Sequence, residues 1–169
     1  MGGISLGTAV SRMPGLEPAE ACAWESFIDA TLRVYGSLNR TLSEQHRLTL
    51  LDVRLLEILC NSQTGSARMG DLAEQLVSLP SRVTRQIRRL EEAGLVHREA
   101  SPEDGRGVLA TITDRGRDAF SEAIATYAEA VRQRFLSPLS RAQVSAMGEN
   151  CRRISTGLRS NGNGKAARA

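Results

Sequence analysis

The sequence predicts a mainly α fold that carries one small β wing, and three observations predict it. Apolar residues recur at spacings of three and four towards both ends of the chain. A middle segment, 69–113, reads in order as short helix, tight turn, arginine-rich helix, β-like run, glycine-rich loop and second β-like run. Aromatic residues are only 4 % of the 169, against 41 % apolar residues, so the core must be built from Leu, Ile, Val and Ala, which suits packed helices.

The elements follow in order. Residues 1–17 hold Gly, Ser and Pro without periodicity and read as a flexible arm. Pro18 opens a long helix marked by Trp24, Phe27, Ile28, Val34, Tyr35, Leu38 and Leu42 and running to about Glu44. Leu50, Val53, Leu56, Ile58 and Leu59 mark a second helix, ended by Asn61-Ser62-Gln63-Thr64-Gly65. Met69, Leu72, Ala73 and Leu76 mark a short third, and Leu79-Pro80-Ser81 is a turn. Val83, Ile87 and Leu90 form one face of a fourth helix, with Gly94 suited to the position just past its end. The β-like runs 95–100 and 108–113 are joined by Ser101-Pro102-Glu103-Asp104-Gly105-Arg106-Gly107 as a hairpin. Phe120, Ile124, Tyr127, Val131 and Phe135 line a fifth helix. The tail from Ser160 reads as disordered.

A sixth helix is lined by Val144, Met147, Cys151, Ile154 and Leu158, which step by three, four, three and four residues as an a/d seam does. The seam spans only about two heptads, so it is either an ordinary core stripe or a partner-helix interface. Helices at both termini around a compact middle module favour the interface. The predicted organisation is therefore a winged helix-turn-helix lobe, 49–113, between dimerisation helices at 18–48 and 114–159, with a disordered tail at 160–169.

Composition narrows the function. Three separated cysteines, Cys22, Cys60 and Cys151, give neither a zinc spacing nor a disulfide framework, so they read as buried inert thiols in a reducing cytoplasm. His46 and His97 stand apart from any carboxylate or thiol cluster, so no metal and no cofactor is expected. No run reaches the ~18 apolar residues of a membrane span, and the start lacks the pattern of a secretory leader. No Ser/His/Asp set, phosphate loop or nucleophile elbow appears, so the sequence predicts no enzyme.

The net charge of +3 is mild, and its distribution says more. Four arginines, Arg82, Arg85, Arg88 and Arg89, fall between Ser81 and Leu90 with no acid among them. At 100° per residue, Ser81, Arg85, Arg88 and Glu92 lie opposite the apolar face, with Arg82, Thr84 and Arg89 flanking them. A solvated helix face usually mixes signs to gain i,i+4 pairs; this one presents guanidinium and hydroxyl groups suited to guanine edges and phosphate. In the wing, Arg106 sits at a glycine-flanked tip from which it can enter a narrow minor groove. Asp104 can pair with Arg106 and fix its direction. Double-stranded DNA is the partner this pattern fits. A protein-interaction module would show mixed charge on the fourth helix, and a non-specific architectural binder a high net charge.

The stretches Asp71-Leu72-Ala73-Glu74-Gln75-Leu76 and Pro80–Val96, the Asp104-Gly105-Arg106-Gly107 tip, Thr111-Ile112-Thr113 and Gly116-Arg117 together resemble the MarR family of transcriptional regulators, over about residues 20–158. The resemblance implies a triangular homodimer on a pseudo-palindromic operator, with the recognition helix in the major groove and the wing arginine in the minor groove. It places those roles on Arg82, Thr84, Arg85, Arg88 and Arg106. It also implies repression relieved by a small aromatic anion bound between the dimerisation helices and the DNA-binding lobe. The family's hydroperoxide-sensing branch has a cysteine early in its first helix supported by tyrosines; here Cys22 is followed by Ala23-Trp24-Glu25, and Tyr35 is three turns on.

Overall fold

The computed structural model describes residues 13–100 and 107–166. Its order is α1 (Pro18–His46), α2 (Leu50–Asn61), β1 (Ser66–Arg68), α3 (Met69–Gln75), α4 (Pro80–Glu92), β2 (Val96–Ala100), β3 (Val108–Ile112), α5 (Asp114–Val131), a π-helical turn (Arg132–Leu136) and α6 (Arg141–Ala166). The chain divides into two compact units between Ala128 and Glu129. No helix among the described residues is long and apolar enough to cross a membrane.

In the first unit, helix starts and stops follow from side-chain chemistry. Pro18 and Pro80 each stand in the first turn of a helix, where the missing N–H costs nothing. Thr49 caps α2: its hydroxyl accepts the Asp52 N–H while the Asp52 carboxylate accepts the Thr49 N–H at 2.6 Å. At the end of α4, Leu95 N–H reaches back to the Leu90 carbonyl (2.9 Å) and Gly94 N–H to Glu91 (2.8 Å), with Gly94 at φ +72°. This is a Schellman closure, with Gly94 in the position just past the helix end that its place in the sequence suits.

The sheet has the order β1-β3-β2, antiparallel throughout. β2 pairs with β3 from Val96 opposite Ile112 to Ala100 opposite Val108. β1, which the sequence reading passes over, adds Ser66–Arg68 to the other edge of β3. Behind the sheet lies one apolar core: Val53, Leu55, Leu56 and Leu59 of α2, Leu72 of α3, Val83, Ile87 and Leu90 of α4, and Ala110 and Ile112 of β3. Leu42 of α1 and Ala123 of α5 belong to the same core. The end of α1 and the middle of α5 thus each lend a side chain to the core of the lobe.

In the second unit, Ser140 and Gln143 exchange side-chain and backbone hydrogen bonds (2.8 and 3.3 Å) and start α6. The helix continues to Ala166, so the tail predicted to be disordered from Ser160 is helical over most of its length. No proline interrupts the ladder there, and Gly162 and Gly164 lower helix propensity without removing an N–H.

β3 meets α5 at a close approach. Thr113 donates its hydroxyl to the Gly94 carbonyl (2.8 Å) and accepts the Gly116 N–H (3.0 Å). A Cβ on Gly116 would sit inside contact distance of the Leu95 carbonyl oxygen, which is backbone and held by the Thr113 N–H. We expect Gly116→Ala to destabilise the protein by about 1–3 kcal/mol, as overpacking does. Urea denaturation checks this, and an unchanged midpoint contradicts the packing at this junction.

Candidate nucleic-acid interface

The core fixes which face of α4 is outside. With Val83, Ile87 and Leu90 buried, Ser81, Arg82, Arg85 and Arg88 are exposed. Among the described residues none of these three arginines is ion-paired, so the face is cationic along its length up to Arg88, with the exposed acid Glu92 at its end. Thr84 is half-buried at the side of the helix, its hydroxyl donated to the Pro80 carbonyl at 2.9 Å and its lone pairs still open.

Arg89 differs from the other three. Its guanidinium is ion-paired with Asp52 of α2, whose side chain is 0 % exposed. Gln86 donates its amide to Asp52 and to the Thr49 hydroxyl (3.2 Å). One carboxylate thus receives the cap of α2 and two side chains of α4. Arg89 is the arginine of the predicted DNA-contacting set that the fold ties inward. Its partner lies 37 residues upstream, outside the acid-free stretch 81–90. A signal was present: Thr49-x-x-Asp52 has the spacing of a capping box.

A cleft of about 530 Å³ opens beside α4, lined by Arg68, Met69, Gly70 and Asp71, by Thr84, by Arg98 of β2, and by Gly107 and Val108 at the start of β3. Arg68 and Arg98 were not singled out in the sequence. Arg98 donates its backbone N–H (3.1 Å) and Nε (2.6 Å) to the carboxylate of Glu91, which joins the wing to the end of α4. Asp104 and Arg106 lie outside the described residues.

A smaller cleft, about 320 Å³, lies between Tyr35 of α1, Leu50, Leu51 and Arg54 of α2, and Gln75, Leu76, Val77, Ser78 and Arg82 around the turn into α4. In the second unit, the predicted seam is open: Val144 is half-buried, while Met147, Cys151, Ile154 (57 % exposed) and Leu158 (69 %) face outward. Cys22 and Cys151 are exposed rather than buried as the sequence predicts, because both stand on helix faces outside the core; Cys60 is half-buried, and burial pushes its thiol upward while Arg117 draws it the other way.

The Arg98 hydrogen bonds hold the Glu91 carboxyl below its ordinary value of 4.5. A carboxylate lowered in the folded state adds stability above its unfolded value, and that contribution is lost as pH falls through the folded value. Between those two values the wild type should therefore lose stability faster with falling pH than Glu91→Gln. Parallel denaturation curves of the two proteins across that acid window would show that the contact carries no proton linkage.

Comparison with known proteins places this geometry. The MarR family's sequence pattern matches residues 48–108. An HTH-type transcriptional repressor of Mycobacterium tuberculosis is 38 % identical over 87 residues, which are 50 % of this chain and 59 % of that protein, so the chain spans little more than half the length of this curated relative. Sco3205, a MarR family transcriptional regulator from Streptomyces coelicolor solved in complex with DNA, is 31 % identical with a TM-score of 0.80, covering 85 % of this chain and 90 % of that one. AbsC, a MarR family regulator from the same organism, is 28 % identical with a TM-score of 0.80, over 88 % of this chain and 99 % of that one.

Proposed function

This chain belongs to the MarR family, and we propose that it is a sequence-specific DNA-binding repressor which holds a pseudo-palindromic operator as a homodimer and is released by a small aromatic anion. One observation carries the reading: α4 keeps Arg82, Arg85 and Arg88 exposed and unpaired among the described residues, while Arg89 and Arg98 of the same lobe are tied to acids. Leaving like charges adjacent on one face costs energy in the free protein, and phosphate or guanine acceptors offset it. The DNA bound to the Streptomyces coelicolor relative supports the same assignment.

In this reading Arg85 and Arg88, opposite the buried stripe, meet base edges. Ser81 and Thr84 bond to phosphate or bases near the helix start, and Arg82 flanks them on the side of α2. The wing would bring Arg106 to the minor groove with Asp104 orienting it, and Arg89 would orient α4 from behind. The exposed Met147, Ile154 and Leu158 seam, with Val144 and Cys151, would meet a second copy, as exposed apolar stripes of this kind do. A ligand in the cleft at Tyr35, Leu50 and Arg82 would compete for an arginine of the DNA face, which gives release a physical route.

Selection from a random duplex pool tests this. The enriched sites should be inverted repeats with half-sites about 34–36 Å apart, one helical turn. Arg85→Ala should lose about 1–3 kcal/mol and relax one position in each half-site. Salicylate at millimolar concentration should weaken the complex, and DNA should weaken salicylate binding by the same factor. A pool without enrichment contradicts the operator reading, and a complex indifferent to salicylate contradicts the release mechanism.

A further inference from the structure

We propose that Leu79 reads a thymine 5-methyl group in the operator, an inference that rests on the DNA-binding reading above. Leu79 is the N-cap residue of α4. Ser, Thr, Asn or Asp at that position accepts a hydrogen bond from the first turn; leucine cannot, and α4 has no side-chain cap. The leucine is not repaid by burial, since it is 71 % exposed. Two residues earlier Val77 is 94 % exposed at φ +48°, a left-handed conformation that a β-branched residue rarely adopts. The turn into α4 therefore forgoes a cap and holds a strained residue while presenting apolar side chains to the outside.

The surroundings of Leu79 identify what covers it. Of the exposed residues that follow along α4, Ser81, Arg82, Arg85, Arg88 and Arg89 are donors or cations, and the acid Glu92 stands apart from Leu79 at the far end of the helix. A partner matching that surface must be anionic and rich in acceptors, with an isolated apolar group among them. The major groove has that character: phosphates, guanine and adenine acceptors, and the thymine methyl as its apolar feature. A protein partner would call for a larger continuous apolar area and fewer adjacent cations. Val77 does not compete for the assignment. It borders the cleft with Tyr35, Leu50 and Leu51, towards α1 and α2, whereas Leu79 directly precedes the arginine face.

The test uses the full-length protein and the inverted repeat selected from the pool. Each thymine is replaced singly, in both half-sites, by deoxyuridine, which removes only the methyl. Wild type should bind about fourfold less tightly at one symmetric position, the effect of one buried methyl. Leu79→Ala and Leu79→Ser should bind the thymine and uracil duplexes equally, and Val77→Gly should keep the fourfold ratio. Leu79→Ser separates readout from folding, because a serine supplies the missing cap: its thermal midpoint should rise while the ratio falls to one. Measuring at low salt keeps the variants on the duplex through phosphate contacts. A wild type that holds the repeat with no thymine-to-uracil ratio at any position, or a Leu79→Ser protein that retains the ratio, overturns the inference and leaves the DNA reading standing. A wild type that binds no duplex overturns the DNA reading itself, and the inference with it.

Discussion

The Asp52 carboxylate is the one charged side chain among the described residues that the fold buries completely, and α2 and α4 are set against each other by it. It closes the N-terminal cap of α2 through Thr49, and it receives Gln86 and Arg89 one turn apart on α4. Stripping a carboxylate of water costs several kcal/mol, which attraction to Arg89 returns only when its remaining lone pairs are filled. Here they are filled from three directions. Arg89 stays 45 % exposed, so its own desolvation is partial. Such a pair adds less to net stability than to geometry. The apolar stripe of Val83, Ile87 and Leu90 could tolerate small rotations of α4 about its axis; hydrogen bonds to a fixed carboxylate are directional and do not.

That division of labour explains the arginine pattern. Leu50 N–H is held by Asn39 of α1 at 3.0 Å, so the start of α2 is fixed from the long first helix as well. From there the order passes through Thr49 and Asp52 to Gln86 and Arg89, and on the far side through Glu91 to Arg98 of the wing. Arginines in this chain of contacts place the helix and the hairpin. Those outside it, Arg82, Arg85 and Arg88, carry the charge that faces outward.

Much of this was legible in the sequence because it is periodic or local. The buried stripe of α4, the glycine closing it at Gly94 and the pairing of β2 with β3 follow from spacing and turn chemistry. What was not legible depends on residues far apart along the chain. β1 has three residues and no period of its own, and it exists because Ser66 finds Thr111 on β3. Arg89 looks like its neighbours in a helical wheel and is separated from them only by Asp52. By sequence Leu79 belongs to a turn, and its exposure at an uncapped helix start is visible only in three dimensions. The open seam on α6 shows the apolar spacing of the sequence together with the exposure that spacing cannot give.

The claim that Asp52 aims the arginine face is tested most directly by Asp52→Asn, which keeps the shape and removes the charge. The quantity to measure is the affinity ratio between the selected operator and a scrambled duplex, at fixed salt, for wild type and variant, with circular dichroism confirming that both are folded. Wild type should discriminate by at least about a thousandfold. The variant should keep at least its affinity for the scrambled duplex, since Arg82, Arg85 and Arg88 are unchanged and Arg89 loses its acid, and lose much of that ratio through a less firmly oriented helix. A folded variant with the full ratio, or a wild type without one, contradicts the account.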